Sequence, residues 1–177
     1  MDYYKKRLIR KLKTESSEAQ EELSSVEFIF DQAVPLFCDA VSCFCSENSK
    51  KNPLEDLKDS AKEDAGIISD GIKSIFRKIA VKTHPDKVKG SESSIHQYHD
   101  ATTAKKDKDV NKIISIAKDL KVDMSDISYS DIKIIENSIK KTQSKIQKIT
   151  KSYPWVWYFA CKSKKGQIIH EFVINQV

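Results

Sequence analysis

Glycine and proline are scarce in this chain, four of each in 177 residues, which leaves little room for the tight turns that connect β-strands. Cysteine is scarce too, and Cys38, Cys43 and Cys45 crowd one short apolar segment, far from Cys161. With no signal peptide and no even ladder of cysteines, these thiols are expected to be reduced and buried, in a cytoplasmic protein. Cys43-x-Cys45 lacks the paired Cys-x-x-Cys spacing of a zinc site, so no metal is expected. Arginine is nearly missing, with three (Arg7, Arg10 and Arg77) among thirty-one basic residues. Arginine is the side chain that reads bases and grips phosphate with two bonds, so sequence-specific nucleic-acid binding is disfavoured. The apolar stretch from Ala33 to Cys45 contains Asp39 and is too short to span a bilayer, and no membrane partner is expected. The chain also has no phosphate-cradling glycine loop, no nucleophile elbow and no metalloprotease His pair, so it is expected to be no enzyme, with no catalytic residue and no cofactor.

What is present reads as helix throughout, and the expected fold class is all-α. The balance of 39% hydrophobic and 32% charged residues suits a soluble helical protein, and the formal charge of +5 is scattered along the chain. Abundant Lys, Ile, Ser and Asp fit an AT-rich genome, as of a virus or phage, whose protein would work in the host cytoplasm. Leu8, Leu12, Ala19, Leu23, Val26 and Phe30 recur at coiled-coil spacing with an interruption near Glu15, and Pro35 either kinks the following stripe or separates two helices. A polar break from Ser46 to Pro53 ends this first region, placed at residues 1–50. Residues 51–125 form a second region, in which the charged stretch Leu54 to Ser69 has few apolar anchors. Val110, Ile113, Ile114, Ala117 and Leu120 define an amphipathic helix with Asp107 or Asp109 near its start.

Residues 126–177 form the third region. Ser128-x-x-Asp131 resembles a capping box, and Ile132, Ile135, Ile139, Thr142, Ile146 and Ile149 then alternate at threes and fours. This helix pairs antiparallel with the N-terminal seam or folds onto the middle region, a choice the spacing leaves open. Its lysines read as a solvated face. The aromatic run Tyr153 to Phe159 is either an anchor for a partner or buried packing against a last helix bearing Ile168, Ile169, Phe172 and Val173, with packing the favoured reading. His96 and His99 read as solvated histidines on one helix.

One run joins periodicity, charge and a stop signal. Ile72, Ile75, Phe76, Ile79 and Ala80 make one apolar face, whereas Lys73, Arg77, Lys78 and Lys82 project to the other side. Asp70 is the expected N-cap. Pro85 has no amide to donate and pushes His84 out of helical geometry, so the helix is predicted to end near Thr83 with His84 and Asp86 on an exposed turn.

Ile72 to Lys87 resembles helix II and the signature loop of a J domain, the module with which DnaJ-type co-chaperones stimulate the ATPase of DnaK-type heat shock protein 70. Phe76 stands where that family has Tyr, Arg77 to Lys82 follow its Arg-Lys-Leu-Ala-Leu-Lys order, and Thr83 departs from its Tyr. A returning helix III is expected over Ser94 to Ala104, with Ile95, Tyr98, Ala101 or Thr102, and Ala104 inward. The family's helix I pattern of Tyr followed by Leu-Gly is missing from Asn52 to Gly71. The resemblance implies a J-like antiparallel helix pair flanked by long helices. It also implies that His84, Pro85 and Asp86 contact the chaperone and that Lys73, Arg77, Lys78, Lys82 and Lys87 dock on it. A client would be held by the flanking helices or by the cluster around Trp155 and Trp157. The alternative expectation is a helical scaffold or adaptor in which the turn has lost this role. A nonspecific nucleic-acid binder, with steeply salt-dependent affinity, stands third.

Overall fold

The computed structural model describes residues 3–56, 68–88 and 91–175. The fold is all-α, 84% helical, with no strand among the described residues. Its helices are α1 (Tyr3–Glu47), α2 (Asp70–Thr83), α3 (Pro85–Val88), α4 (Glu92–Lys106), α5 (Val110–Asp119), α6 (Tyr129–Thr150), α7 (Tyr153–Phe159) and α8 (Lys162–Asn175), with a 3-10 turn at Pro53–Asp56. Most of the charged stretch in which a first J helix would be sought, residues 57–67, lies outside the described residues.

The helices sort into two compact units, one of Met1–Glu22 and Asp64–Ser144, the other of Leu23–Glu63 and Lys145–Val177. This grouping follows contact rather than chain order. Both α1 and α6 contribute to each unit.

In the first unit the predicted face of α2 is the centre of the core. Ile72, Ile75 and Ile79 are buried against Ala101 and Ala104 of α4, Val110, Ile113, Ile114 and Ala117 of α5, and Ile132, Ile135 and Ile139 of α6. Each such isoleucine contributes about 1.5–3 kcal/mol when fully buried. Asp109 caps α5 by accepting from the Lys112 amide at 2.9 Å. The Ser128 and Asp131 pair forms the reciprocal capping box: the Asp131 amide donates to Ser128 Oγ at 3.1 Å, and the Ser128 amide donates to the Asp131 carboxylate at 2.7 Å.

The open choice for α6 resolves onto this core. Of the two alternatives, antiparallel pairing with α1 is not the one adopted, because contacts here advance together along both helices. Lys5 reaches the Ser125 carbonyl just before α6 begins, while Ser16 and Gln20 meet Asn111, whose amide bonds Ser138 further along α6. The interruption near Glu15 is no break in α1. Ser16 and Ser17 are buried there, and Ser16 Oγ donates to Asn111.

In the second unit Phe37, Val41 and Cys45 of α1 pack with Trp157 of α7 and with Ile169, Phe172 and Val173 of α8. Phe37 meets Trp157 and Phe172 edge-on, with centroids 5.7 and 5.1 Å apart. A smaller cluster joins Leu23, Val26 and Ile146, with Ile149 and Trp155 against it. Pro35 lies inside α1 and does not split it. The helical hydrogen bond it removes, part of a cost of about 3 kcal/mol or more, is offset by burial of Ala33, Phe37 and Val41 around it. Of the four cysteines only Cys45 is buried, which corrects the expectation for the exposed Cys43 and Cys161 and the half-buried Cys38; all four are free thiols.

Candidate functional site

The turn after α2 is built by local chemistry. Ser69, rather than the expected Asp70, is the N-cap of α2: its hydroxyl accepts from the Ile72 amide at 3.3 Å, while Asp70 opens the first turn and pairs with Lys73 at 2.9 Å. That pairing holds the exposed Asp70 carboxyl below its ordinary value. The helix ends at Thr83, as predicted, and Thr83 is wholly buried with its hydroxyl donating to the Ile79 carbonyl at 3.0 Å. A full-length aromatic at that position would have to displace core, which rationalises a small residue there.

His84 leaves helical geometry at ψ 130°, the conformation a following proline imposes. Its carbonyl accepts from the Lys87 amide at 2.9 Å and its Nδ1 from the Asp86 amide at 3.3 Å, so the imidazole closes the turn from both ends. Asp86 Oδ2 lies 3.5 Å from the same nitrogen, and the Asp86 side chain is 86% exposed. Pro85, Asp86 and Lys87 are all exposed. The turn therefore presents a carboxylate acceptor on a backbone fixed by its own hydrogen bonds, the geometry that suits a bidentate arginine from outside.

Helix α4 returns beside α2. Its Tyr98 ring stands edge-on to His84, and seven residues on, Lys105 Nζ lies 4.4 Å from the Phe76 ring centroid. Advancing along α4 thus moves backward along α2, and the two run antiparallel. Ala101 and Ala104 are buried as expected, Ile95 and Tyr98 partly so, and Thr102 faces out. His96 is solvent-exposed and pairs with Asp100 at 3.0 Å, a carboxylate partner that spacing alone did not single out.

The basic side of α2 is divided. Lys73 and Arg77 are exposed. Lys78 instead reaches the Asp126 carboxylate at 2.6 Å and the Asp123 carbonyl at 3.0 Å, and Lys82 reaches the Leu120 carbonyl at 2.9 Å. Lys13 of α1 closes the same connection from the other side, donating to the Val122 carbonyl at 2.6 Å. These lysines satisfy carbonyls at the C-terminus of α5 and in the segment after it, where positive charge is favoured. Val122, Met124 and Ile127 are buried, so this connection is anchored in the core. The hydrogen bond from Lys78 lowers the Asp126 carboxyl below its ordinary value, and burial lowers the Lys13 ammonium despite Asp123 nearby. The expectation that all four α2 cations face water is therefore corrected for Lys78, which is partly buried, whereas Lys82 stays exposed while its ammonium bonds the Leu120 carbonyl. The loop that captures them was legible in Asp123 and Asp126 only as charge, with nothing in their spacing to aim them at α2.

The aromatic run divides as well. Trp157 is buried under Lys165, whose Nζ stands 4.1 Å from its ring centroid, whereas Val156 and Phe159 are exposed. No family model, curated protein or solved structure matches this chain, and its function has to be argued from its own residues.

Proposed function

We propose that this chain is a J-domain co-chaperone that binds a DnaK-type heat shock protein 70 and stimulates its ATP hydrolysis through His84, Pro85 and Asp86. The observation that carries the reading is the exposed His-Pro-Asp turn between the antiparallel helices α2 and α4, with Asp86 held outward and a buried isoleucine face behind it. In this reading Asp86 accepts from an arginine of the chaperone, His84 and Pro85 fix the turn, and Lys73, Arg77 and Lys87 supply the attraction to an acidic surface. Lys78 and Lys82 add their charge from positions tied to the α5–α6 connection. The chain itself breaks no bond.

The test is single-turnover ATP hydrolysis by a DnaK-type chaperone with wild type or Asp86→Asn, a substitution that keeps shape and removes the charge. Stimulation by wild type and its loss in the variant is the expected result; equal stimulation by both would sink the proposal.

A second reading has its own support. The capture of Lys78 and Lys82 within the fold gives part of the basic face a structural role, as in a helical scaffold or adaptor whose turn no longer engages a chaperone. That reading expects no stimulation by either protein.

A further inference from the structure

From Lys145 to His170 the chain carries six lysines, Lys145, Lys148, Lys151, Lys162, Lys164 and Lys165, and no aspartate, glutamate or arginine. Two of the six serve the fold: Lys145 pairs with Glu27 at 2.8 Å, and Lys165 covers the Trp157 ring. Lys148, Lys151, Lys162 and Lys164 are exposed. Between them sits α7, with Val156 46% exposed and Phe159 60% exposed one helical turn apart on one side. Trp155 leans on Phe159 with centroids 5.0 Å apart, and Tyr153, Trp155 and Tyr158 are each partly exposed. Of the acids of this unit that the structure describes, Glu27 is taken up by Lys145, and the others lie on α1 (Asp31, Asp39, Glu47), in the turn at Pro53–Asp56 and at Glu171.

We propose that the end of α6, α7 and the start of α8 form a docking surface for an anionic lipid bilayer, on which Val156 and Phe159 enter the headgroup layer and the flanking lysines hold its negative charge. Three features select lipid among anionic partners. Lysine is a point charge on a flexible stem that asks for no fixed geometry, as a fluid headgroup layer requires, whereas phosphate and base recognition draws on arginine. An exposed valine beside an exposed phenylalanine is an apolar pair that inserts among acyl chains, and Trp157, the larger ring, is buried rather than open to a base. Partly exposed Tyr and Trp with one wet end are the side chains of a membrane interface. The expectation against a membrane partner rested on spanning, and a surface-bound unit needs no span.

The test is co-sedimentation of the full chain with vesicles of phosphatidylcholine alone or mixed with phosphatidylserine, beside capture of a single-stranded oligonucleotide. Expected are binding to the phosphatidylserine vesicles only, loss of binding in high salt, and a roughly thirtyfold weaker affinity for Lys162→Gln with Lys164→Gln, at about fivefold per lysine charge. Phe159→Ser and Val156→Ser should each weaken binding while circular dichroism and thermal unfolding stay as in wild type. Absence of binding to phosphatidylserine vesicles, equal binding to neutral ones, or indifference to both serine variants overturns the proposal, and capture of the oligonucleotide without vesicle binding reassigns the surface to nucleic acid.

Discussion

The His84 imidazole stands edge-on to the Tyr98 ring with centroids 5.5 Å apart, and this contact ties the turn after α2 to the helix that returns beside it. His84 thus has two tasks, to close the turn through its own Nδ1 and to dock that turn on α4. Glutamine can offer an acceptor but no ring. Because His84 is only half-buried, His84→Gln should change stability by no more than about 0.5 kcal/mol. In the co-chaperone reading it should abolish stimulation of a DnaK-type ATPase. Full stimulation by a folded His84→Gln protein would remove the histidine from the mechanism.

Gly71 is required by contact rather than by backbone torsion. A Cβ added there would overlap the Asp131 carboxylate, which is fixed by three further donors, a 2.5 Å bond from Ser69 Oγ and bonds from the Ser128 amide and hydroxyl. Gly71→Ala therefore cannot gain the usual helix-propensity benefit, since one member of this network has to move. A loss of about 1–3 kcal/mol, the cost of leaving a buried polar group unsatisfied, is expected in urea unfolding. An alanine variant as stable as wild type would show that the carboxylate yields freely.

The same carboxylate makes acid stability predictable in sign. Burial pushes the Asp131 carboxyl up, but the bonds from Ser69 and Ser128, with Lys5 nearby, outweigh it and leave the group below its ordinary value. A group depressed in the folded state stabilises above its unfolded pKa, about 3.9 for Asp, and loses that contribution as pH falls through the lower folded value. Between neutral pH and about pH 4 the wild type should hold its advantage over Asp131→Asn. Below that the two unfolding midpoints should converge; divergence on acidification would contradict the sign.

Local rules carried the sequence a long way. The apolar faces of α2 and α5, the stop at Thr83, the cap at Asp109 and the Ser128–Asp131 box all depend on neighbours within a few residues, where spacing determines geometry. What spacing could not reach were partners far along the chain. Ser16 looked like a gap in an apolar seam because its partner, Asn111, is 95 residues away. The direction of α6 against α1 was equally hidden, since a heptad is the same read either way. Of the candidate site, the turn was legible from Pro85, whereas the capture of Lys78 and Lys82 depended on a loop whose path is set by buried Val122, Met124 and Ile127.

Ser16 and Asn111 give that hidden contact a measurable weight. Ser16 Oγ donates to both the carbonyl and the side-chain oxygen of Asn111, and Asn111 Nδ2 donates to Gln20 at 3.4 Å, all in or beside the core. Ser16→Ala leaves the Asn111 oxygens short of a donor and should cost about 1–3 kcal/mol. Asn111→Leu removes the side-chain oxygen and amide but keeps the backbone carbonyl that Ser16 also meets, so the double variant Ser16→Ala with Asn111→Leu should be less destabilised than the sum of the singles. Additive losses would show that the two residues act independently.

Lys78 and Arg77 separate the structural from the docking role of the basic helix. Lys78 bonds Asp126 and the Asp123 carbonyl, and it is partly buried, whereas Arg77 beside it is exposed. Removing Lys78 leaves a carbonyl and a carboxylate of an anchored connection to find water, so Lys78→Ala should lower stability by about 1 kcal/mol, near the upper end for an ion pair this accessible. Arg77→Ala should leave the unfolding midpoint unchanged and, in the co-chaperone reading, weaken association with the chaperone and steepen less with falling salt, because an exposed cation acts chiefly on encounter. The pair of variants is informative together. If Arg77→Ala alters neither stability nor association while Lys78→Ala alters only stability, the basic face of α2 belongs to the fold and the scaffold reading gains; if association falls with Arg77, charge on the free side of the helix is what the partner meets.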